Sequence, residues 1–159
     1  MAYTIDVQST RRYPPELSQA VARAAHEALA HSEAADGAAL TVLLTDDDYL
    51  RELNRHYRGE DSATDVLSFP AGEPLPGAPA GYLGDIAIAV PTAERQAAAK
   101  GHATPAELQL LAVHGVLHLL GHDHLDAAEK IAMWREQAAV LHRLGLEGIQ
   151  PTEEAHDDQ

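Results

Sequence analysis

The sequence predicts a single α+β domain, a small sheet of about four strands with about five helices packed on it. Two observations lead there. Short alternating or apolar runs are interleaved with amphipathic helical stretches up to residue 90, and beyond that point only helical patterns recur. The chain of 159 residues fits one hydrophobic core, with no repeat and no internal linker to divide it.

Residues 3–8, YTIDVQ, alternate between apolar and polar and read as a short strand. The stretch PPELSQAVARAAHEALAHS then opens on two prolines and spaces Leu17, Val21, Ala25 and Leu29 four apart, the pattern of an amphipathic helix. AALTVLLT at 38–45 is a buried strand, and Asp46 caps a second helix, DDDYLRELNRHYR. DVLSFP at 65–70 is a strand stopped by proline. AGEPLPGAPAG at 71–81 holds three prolines and three glycines and reads as a mobile loop. LGDIAIAV at 83–90 resumes the sheet. A helix is expected from Pro91 to about Lys100. The next starts with Thr104 as N-cap, Pro105 at the first helical position and Glu107 closing a capping box, and it runs to Leu120 before Gly121. Asp126 with Glu129 opens the last helix, through Leu144 to Gly145. The domain therefore spans 1–150, and 151–159 forms an acidic tail in which TEEAHDDQ carries four carboxylates and is expected to be disordered.

Composition narrows the chemistry. Hydrophobic residues make up 45% but aromatics only 4%, so the core is built from Leu, Val, Ile and Ala. Cysteine is absent, which leaves His, Asp and Glu as metal ligands and suits a reducing compartment. No apolar stretch approaches the ~20 residues of a membrane span, and the N-terminus shows no apolar signal core, so a cytoplasmic protein with no membrane partner is expected. The net charge of −14 excludes non-specific nucleic-acid binding by the bulk surface, though not a local basic cleft.

Ten histidines are many for this length, and five lie between His102 and His124. Residues 114–124 read HGVLHLLGHDH. His114 and His118, four apart on a helix, share one face and can grip one ion. The surrounding Leu110, Leu111, Val113, Val116, Leu117, Leu119 and Leu120 make that helix apolar almost all round, hence buried. Two buried imidazoles each need a partner, and a shared metal serves both. Gly121 permits the left-handed turn that ends the helix, after which His124 can return to the same point. Three neutral imidazoles leave zinc an open position, the catalytic arrangement, although nickel and copper accept the same donors. The spacing H-x-x-x-H-x-x-G-x-x-H equals that of the metzincin proteases, but Gly115 stands where their glutamate base belongs. Zinc brings its bound water to a pKa near 7, which removes the need for that base.

The segment HGVLHLLGHDH closely resembles the signature of the YbeY family, bacterial endoribonucleases of ribosomal RNA maturation. LNRHYRGEDSATDVLSFP at 53–70 resembles that family's arginine-bearing segment, and LGDIAIAV at 83–90 its next strand, in matching order over nearly the whole chain. Two positions depart from the pattern: His122 stands where tyrosine is usual, and Glu60 where lysine is usual. The resemblance implies a single-strand-specific endoribonuclease binding one Zn2+ through His114, His118 and His124. Its implied role is maturation of the 3′ end of small-subunit ribosomal RNA and ribosome quality control, with small-subunit proteins and an assembly GTPase as partners. It also implies a catalytic Arg58, whose planar fork suits a phosphodiester; the bare sequence reads that residue as a helix C-terminal cation. Arg51, Arg55 and Arg58 form a stripe that is the best candidate for a local basic track. Asp65, Ser68 and Asp85 read as cap or backbone-satisfying residues, with Asp85 able to orient a metal histidine. Asp123 reads as a turn residue, His102 as solvent-facing, and Met133 and Trp134 as core. Two other readings share the residues: a ribosome-assembly factor with structural zinc, and a metallopeptidase on the same histidine frame.

Overall fold

The computed structural model describes residues 2–72, 81–122, 126–146, 148 and 149. Most of the proline-rich 71–81 loop, the tail at 151–159, Asp123 and His124 lie outside the described residues. Nine elements follow in the order β1 (Thr4–Ser9), α1 (Pro15–His31), β2 (Ala39–Thr45), α2 (Asp47–Arg58), β3 (Val66–Pro70), β4 (Tyr82–Ala89), α3 (Val90–Lys100), α4 (Thr104–Leu119) and α5 (Ala127–Arg143). They form the expected α+β domain around one mixed sheet.

The strand order is β1-β2-β4-β3. β1, β2 and β4 are parallel, and β3 joins β4 antiparallel as an edge strand. An edge is where Pro70 is tolerated, because proline has no N–H to give to a ladder. Between Ala39 and Leu40 the register with β4 shifts by one, so that Leu83 bulges out of β4. Gly84, at φ +137°, follows the bulge, and a Cβ there would collide with the Phe69 carbonyl of β3. The bulge puts Tyr82 on the same sheet face as Asp85, to which its hydroxyl donates.

Alternation gives the sheet two unlike faces. Leu40, Val42, Leu44, Val66, Ile86 and Ile88 face one large core built with α1, α4 and α5. Leu17, Val21, Ala25 and Leu29, the spacing read from the sequence, are all buried there. The opposite face carries a smaller cluster, in which Leu50 of α2 covers Leu67, Ala87 and Ala89. Toward β1 that second face carries the exposed Asp6 and Gln8 and the half-buried Thr41. Among the described residues no helix is long and apolar enough to cross a membrane.

Helix ends agree with the sequence at two places. Asp46 accepts from the Tyr49 N–H at 2.8 Å, and Asp126 from the Glu129 N–H at 2.8 Å. The start of α4 differs. Ala103 occupies the cap position without a side-chain bond, and Thr104 already belongs to the helix. Glu107 is fully buried and makes no capping box. Its carboxylate accepts from Gln96 Nε2 at 2.9 Å and Lys100 Nζ at 3.1 Å, and its Oε1 lies 2.7 Å from His102 Nε2. A carboxylate taken out of water needs charged and hydrogen-bonding partners, and these three tie α3 to α4. His102 is therefore turned inward, with 14% of its side chain exposed, rather than toward solvent. Gln96 also reaches the buried Asp65 Oδ2 at 3.3 Å and links the network to the start of β3.

Glu107→Ala should lower stability by on the order of 3 kcal/mol, because it removes the buried carboxylate that Lys100, His102 and Gln96 share. Chemical denaturation measures this; a loss below about 0.5 kcal/mol, the range of ordinary surface substitutions, would make the network incidental.

Candidate metal centre

Helix α4 is buried on every side from Glu107 to Leu117. Its close approach to the sheet depends on Gly115: a Cβ at that position would lie 2.8 Å from Ile86 Cγ2 and 3.0 Å from Ile86 Cδ1. Ile86 is itself fully buried in β4. The Gly115 carbonyl accepts from Ser68 Oγ of the edge strand at 3.4 Å. The position that would carry a protease's glutamate base therefore points into the core, where no water or substrate could meet it.

One residue earlier, the helix aims His114 away from that contact and toward α5. The His114 imidazole is fully buried, and its Nδ1 lies 3.0 Å from Oε1 of Gln137, itself 2% exposed. Donation from Nδ1 to the amide oxygen leaves a lone pair on Nε2. His118, half-buried one turn on, brings its Nε2 to 3.1 Å from His114 Nε2, with the rings 4.6 Å apart and inclined at 74°. Two nitrogens bound to one zinc ion at about 2.0–2.1 Å lie at a similar separation, so the pair fits a shared cation. The Trp134 ring of α5 stands 5.8 Å from the His114 ring, and Lys130 Nζ lies 5.9 Å from the Trp134 centroid. Trp134 is thus a half-buried wall of the histidine site, while Met133 beside it is core.

The helix ends as Gly121 requires. Gly121, at φ +100°, donates to the His118 carbonyl at 3.0 Å, and the His122 N–H reaches back to the Leu117 carbonyl at 2.9 Å. These two bonds turn the chain back just after His118. Among the described residues no group of three metal-ligating side chains forms, and His124, the third expected ligand, lies outside them. The structure therefore brings His114 and His118 together.

Gln137 was missed by spacing arguments, since it lies 23 residues from its partner. A signal existed: it shares the buried register of α5 with Met133, Val140 and Leu141, where an amide needs a reason to be. Asp85, read as a cap or backbone-satisfying residue able to orient a histidine, reaches no histidine among the described residues. It projects from the other face of the sheet, hydrogen-bonded to Tyr82.

That other face holds a groove of about 710 Å³ whose lining includes Gln8, Thr41, Tyr57, Arg58, Phe69 and Asp85. Arg58 ends α2, and Gly59, at φ +72°, closes the helix with its N–H on the Arg55 carbonyl at 3.1 Å. Buried Asn54 holds the following loop by donating to the Ser62 carbonyl at 3.1 Å. The expected basic track is largely cancelled: Arg51 pairs with Asp61 at 2.7 Å, and Arg55 pairs with Glu52. Burial, then the hydrogen bond to Asp85, raise the Tyr82 phenol above its ordinary pKa, so it remains a donor at neutral pH. Ser68 lines the groove and also touches the Gly115 carbonyl, so the edge strand β3 is the partition between groove and histidine site.

The family model described as Endoribonuclease YbeY matches residues 4–145. Proteins named Endoribonuclease YbeY from Pelotomaculum thermopropionicum and Geobacillus kaustophilus are similar to this chain. The first is 46% identical over 133 residues, covering 82% of this chain and 88% of the relative. The second is 42% identical over 151 residues, covering 88% and 94%. The fold is also similar to the solution structure of a Thermotoga maritima protein, with a TM-score of 0.58 and 23% identity over 89% of this chain and 92% of that one.

Gly115→Ala should destabilise the protein by about 1–3 kcal/mol, since Ile86 must move in a packed core to admit one methyl group. Thermal or denaturant unfolding tests it; a stability equal to the parent's would show that β4 yields without strain.

Proposed function

The chain belongs to the YbeY family of endoribonucleases, and on that premise we propose that it is a metal-dependent hydrolase of single-stranded RNA acting in ribosomal RNA processing. The observation that carries the reading is the His114–His118 pair, two imidazole nitrogens 3.1 Å apart on a buried helix, one of them held by Gln137. We assign one zinc ion to these two residues together with His124. Such an ion supplies Lewis acidity toward water and phosphoryl oxygens at neutral pH.

The chain's own residues do the rest. Gln137 holds His114 in the tautomer that presents Nε2, and so acts on the ligand rather than on the substrate. Trp134 and the apolar flank of α4 close one side of the site to water. Arg58, at the end of α2 and in the lining of the groove, binds a phosphate of the RNA strand with its planar fork. The strand passes over the edge of β3 between groove and histidines. The substrate we assign is small-subunit ribosomal RNA near its 3′ end, with ribosomal proteins and an assembly GTPase as partners of the same process.

Elemental analysis of purified protein, followed by RNA cleavage with and without chelator, is the direct test. His114→Ala, His118→Ala and His124→Ala should each lose most bound metal and all cleavage, while His122→Ala keeps both. An empty site in His122→Ala with a full one in His124→Ala would reverse the ligand assignment. Gln137→Leu should fold and still lower metal affinity by about tenfold or more in a chelator competition. Arg58→Glu should retain metal and fold, yet reduce cleavage by about two orders of magnitude, with Arg58→Lys in between. Parental cleavage by Arg58→Glu at full metal content would remove Arg58 from the mechanism and favour an assembly role.

A further inference from the structure

The described residues include four exposed large hydrophobic side chains, and three are tyrosines: Tyr49 at 45%, Tyr57 at 64% and Tyr82 at 41%, with Ile131 the fourth. All three tyrosines belong to one place. Tyr49 and Tyr57 line the groove on the α2 face of the sheet, and Tyr82 bonds to Thr41 and Asp85, which also line it. In a chain with only 4% aromatic residues, such clustering on one open face is not the random scatter of surface side chains. The Tyr57 ring packs edge-on against Phe69, with centroids 5.4 Å apart and planes at 63°, so its orientation is fixed while most of it meets solvent.

Electrostatics say what this face is for. A net charge of −14, with Arg51 and Arg55 each held by an acid, leaves little favourable interaction for a phosphate backbone. A nucleic acid held here must draw much of its affinity from something other than charge. Aromatic rings supply it through their faces to any unpaired base, and a duplex, whose bases are stacked on one another, cannot use them.

We propose that the groove is a base-stacking platform, on which unpaired nucleobases of an RNA strand lie against Tyr57 and Tyr49 over Phe69 while Arg58 takes an adjoining phosphate. This rests on the endoribonuclease reading and adds to it the surface that selects single strands. Asp85, directly cross-strand from Phe69, and Gln8, on β1, offer polar groups to the base edges, where a carboxylate accepts from an exocyclic amine and an amide serves either partner. The groove's volume of about 710 Å³ lies within the range of pockets that enclose small ligands, so it holds a short stretch of strand and not a folded domain.

Binding of a fluorescent, phosphorothioate-linked single-stranded RNA to the full, metal-loaded chain tests this, with the linkage chosen to suppress cleavage. Tyr57→Ala should weaken binding by about tenfold, and by the same factor at low and high salt, because stacking releases no counterions. Tyr57→Phe should restore it. Arg58→Glu, in contrast, should flatten the salt dependence itself. A hairpin duplex should bind Tyr57→Ala and parent alike. If the parent binds the single strand and Tyr57→Ala and Tyr49→Ala bind it equally well, the platform is wrong while the endoribonuclease reading stands. If the metal-loaded parent binds no RNA, both fall. A concentration-dependent dimer in light scattering that Tyr57→Ala dissociates would assign the tyrosines to a protein interface and also overturn the proposal.

Discussion

The contact between Gly115 of α4 and Ile86 of β4 decides where the rest of the molecule can go. At that point the helix lies so close to the sheet that a single Cβ would intrude to 2.8 Å. The approach lets α4 run through the core with no solvent-facing side from Glu107 to Leu117. It also orients the helix about its axis. With position 115 against the sheet, position 114 turns toward α5, and position 118 follows one turn later nearer the rim. A buried imidazole, a buried amide opposite it and a second, half-buried imidazole follow from one close contact.

The same contact explains why a frame spaced like a protease's differs in its chemistry. A glutamate at 115 would be buried between helix and sheet with no partner, at a cost a small domain could not sustain. The glycine instead lets the helix press onto the sheet while its i and i+4 spacing aligns the two imidazoles, and the edge strand is tied to the same turn through Ser68 and the Gly115 carbonyl. The sheet then divides the work. One face builds the core and the histidine site. The other, only partly covered by α2, keeps Arg58, Asp85 and the tyrosines at a groove.

Much of this was legible from the residues. Local patterns set the elements: Asp46 and Asp126 cap the helices that their positions announced, and the four-residue spacing of Leu17, Val21, Ala25 and Leu29 named a buried face. The His114–His118 pair was legible because a helix makes i and i+4 neighbours whatever the tertiary fold. What failed were residues whose partners are distant or compete. Thr104 and Glu107 have the form of a capping box, but the burial of Glu107 against Lys100, His102 and Gln96 outweighs a cap, and sequence spacing cannot rank the two. For Asp85 the residues left two roles open, because the side a strand residue faces depends on the bulge at Leu83 and on strand order. Gln137 was invisible for the opposite reason: its partner lies across the core on another helix.

We propose that RNA cleavage depends on metal held by the α4 histidines. The most direct test is a zinc titration of metal-stripped protein, following bound metal and cleavage of a single-stranded ribosomal RNA fragment in the same samples. Cleavage should be absent at the start and rise in proportion to bound zinc up to one equivalent. Full cleavage by the stripped protein, or a single tightly bound equivalent that restores none, would contradict it.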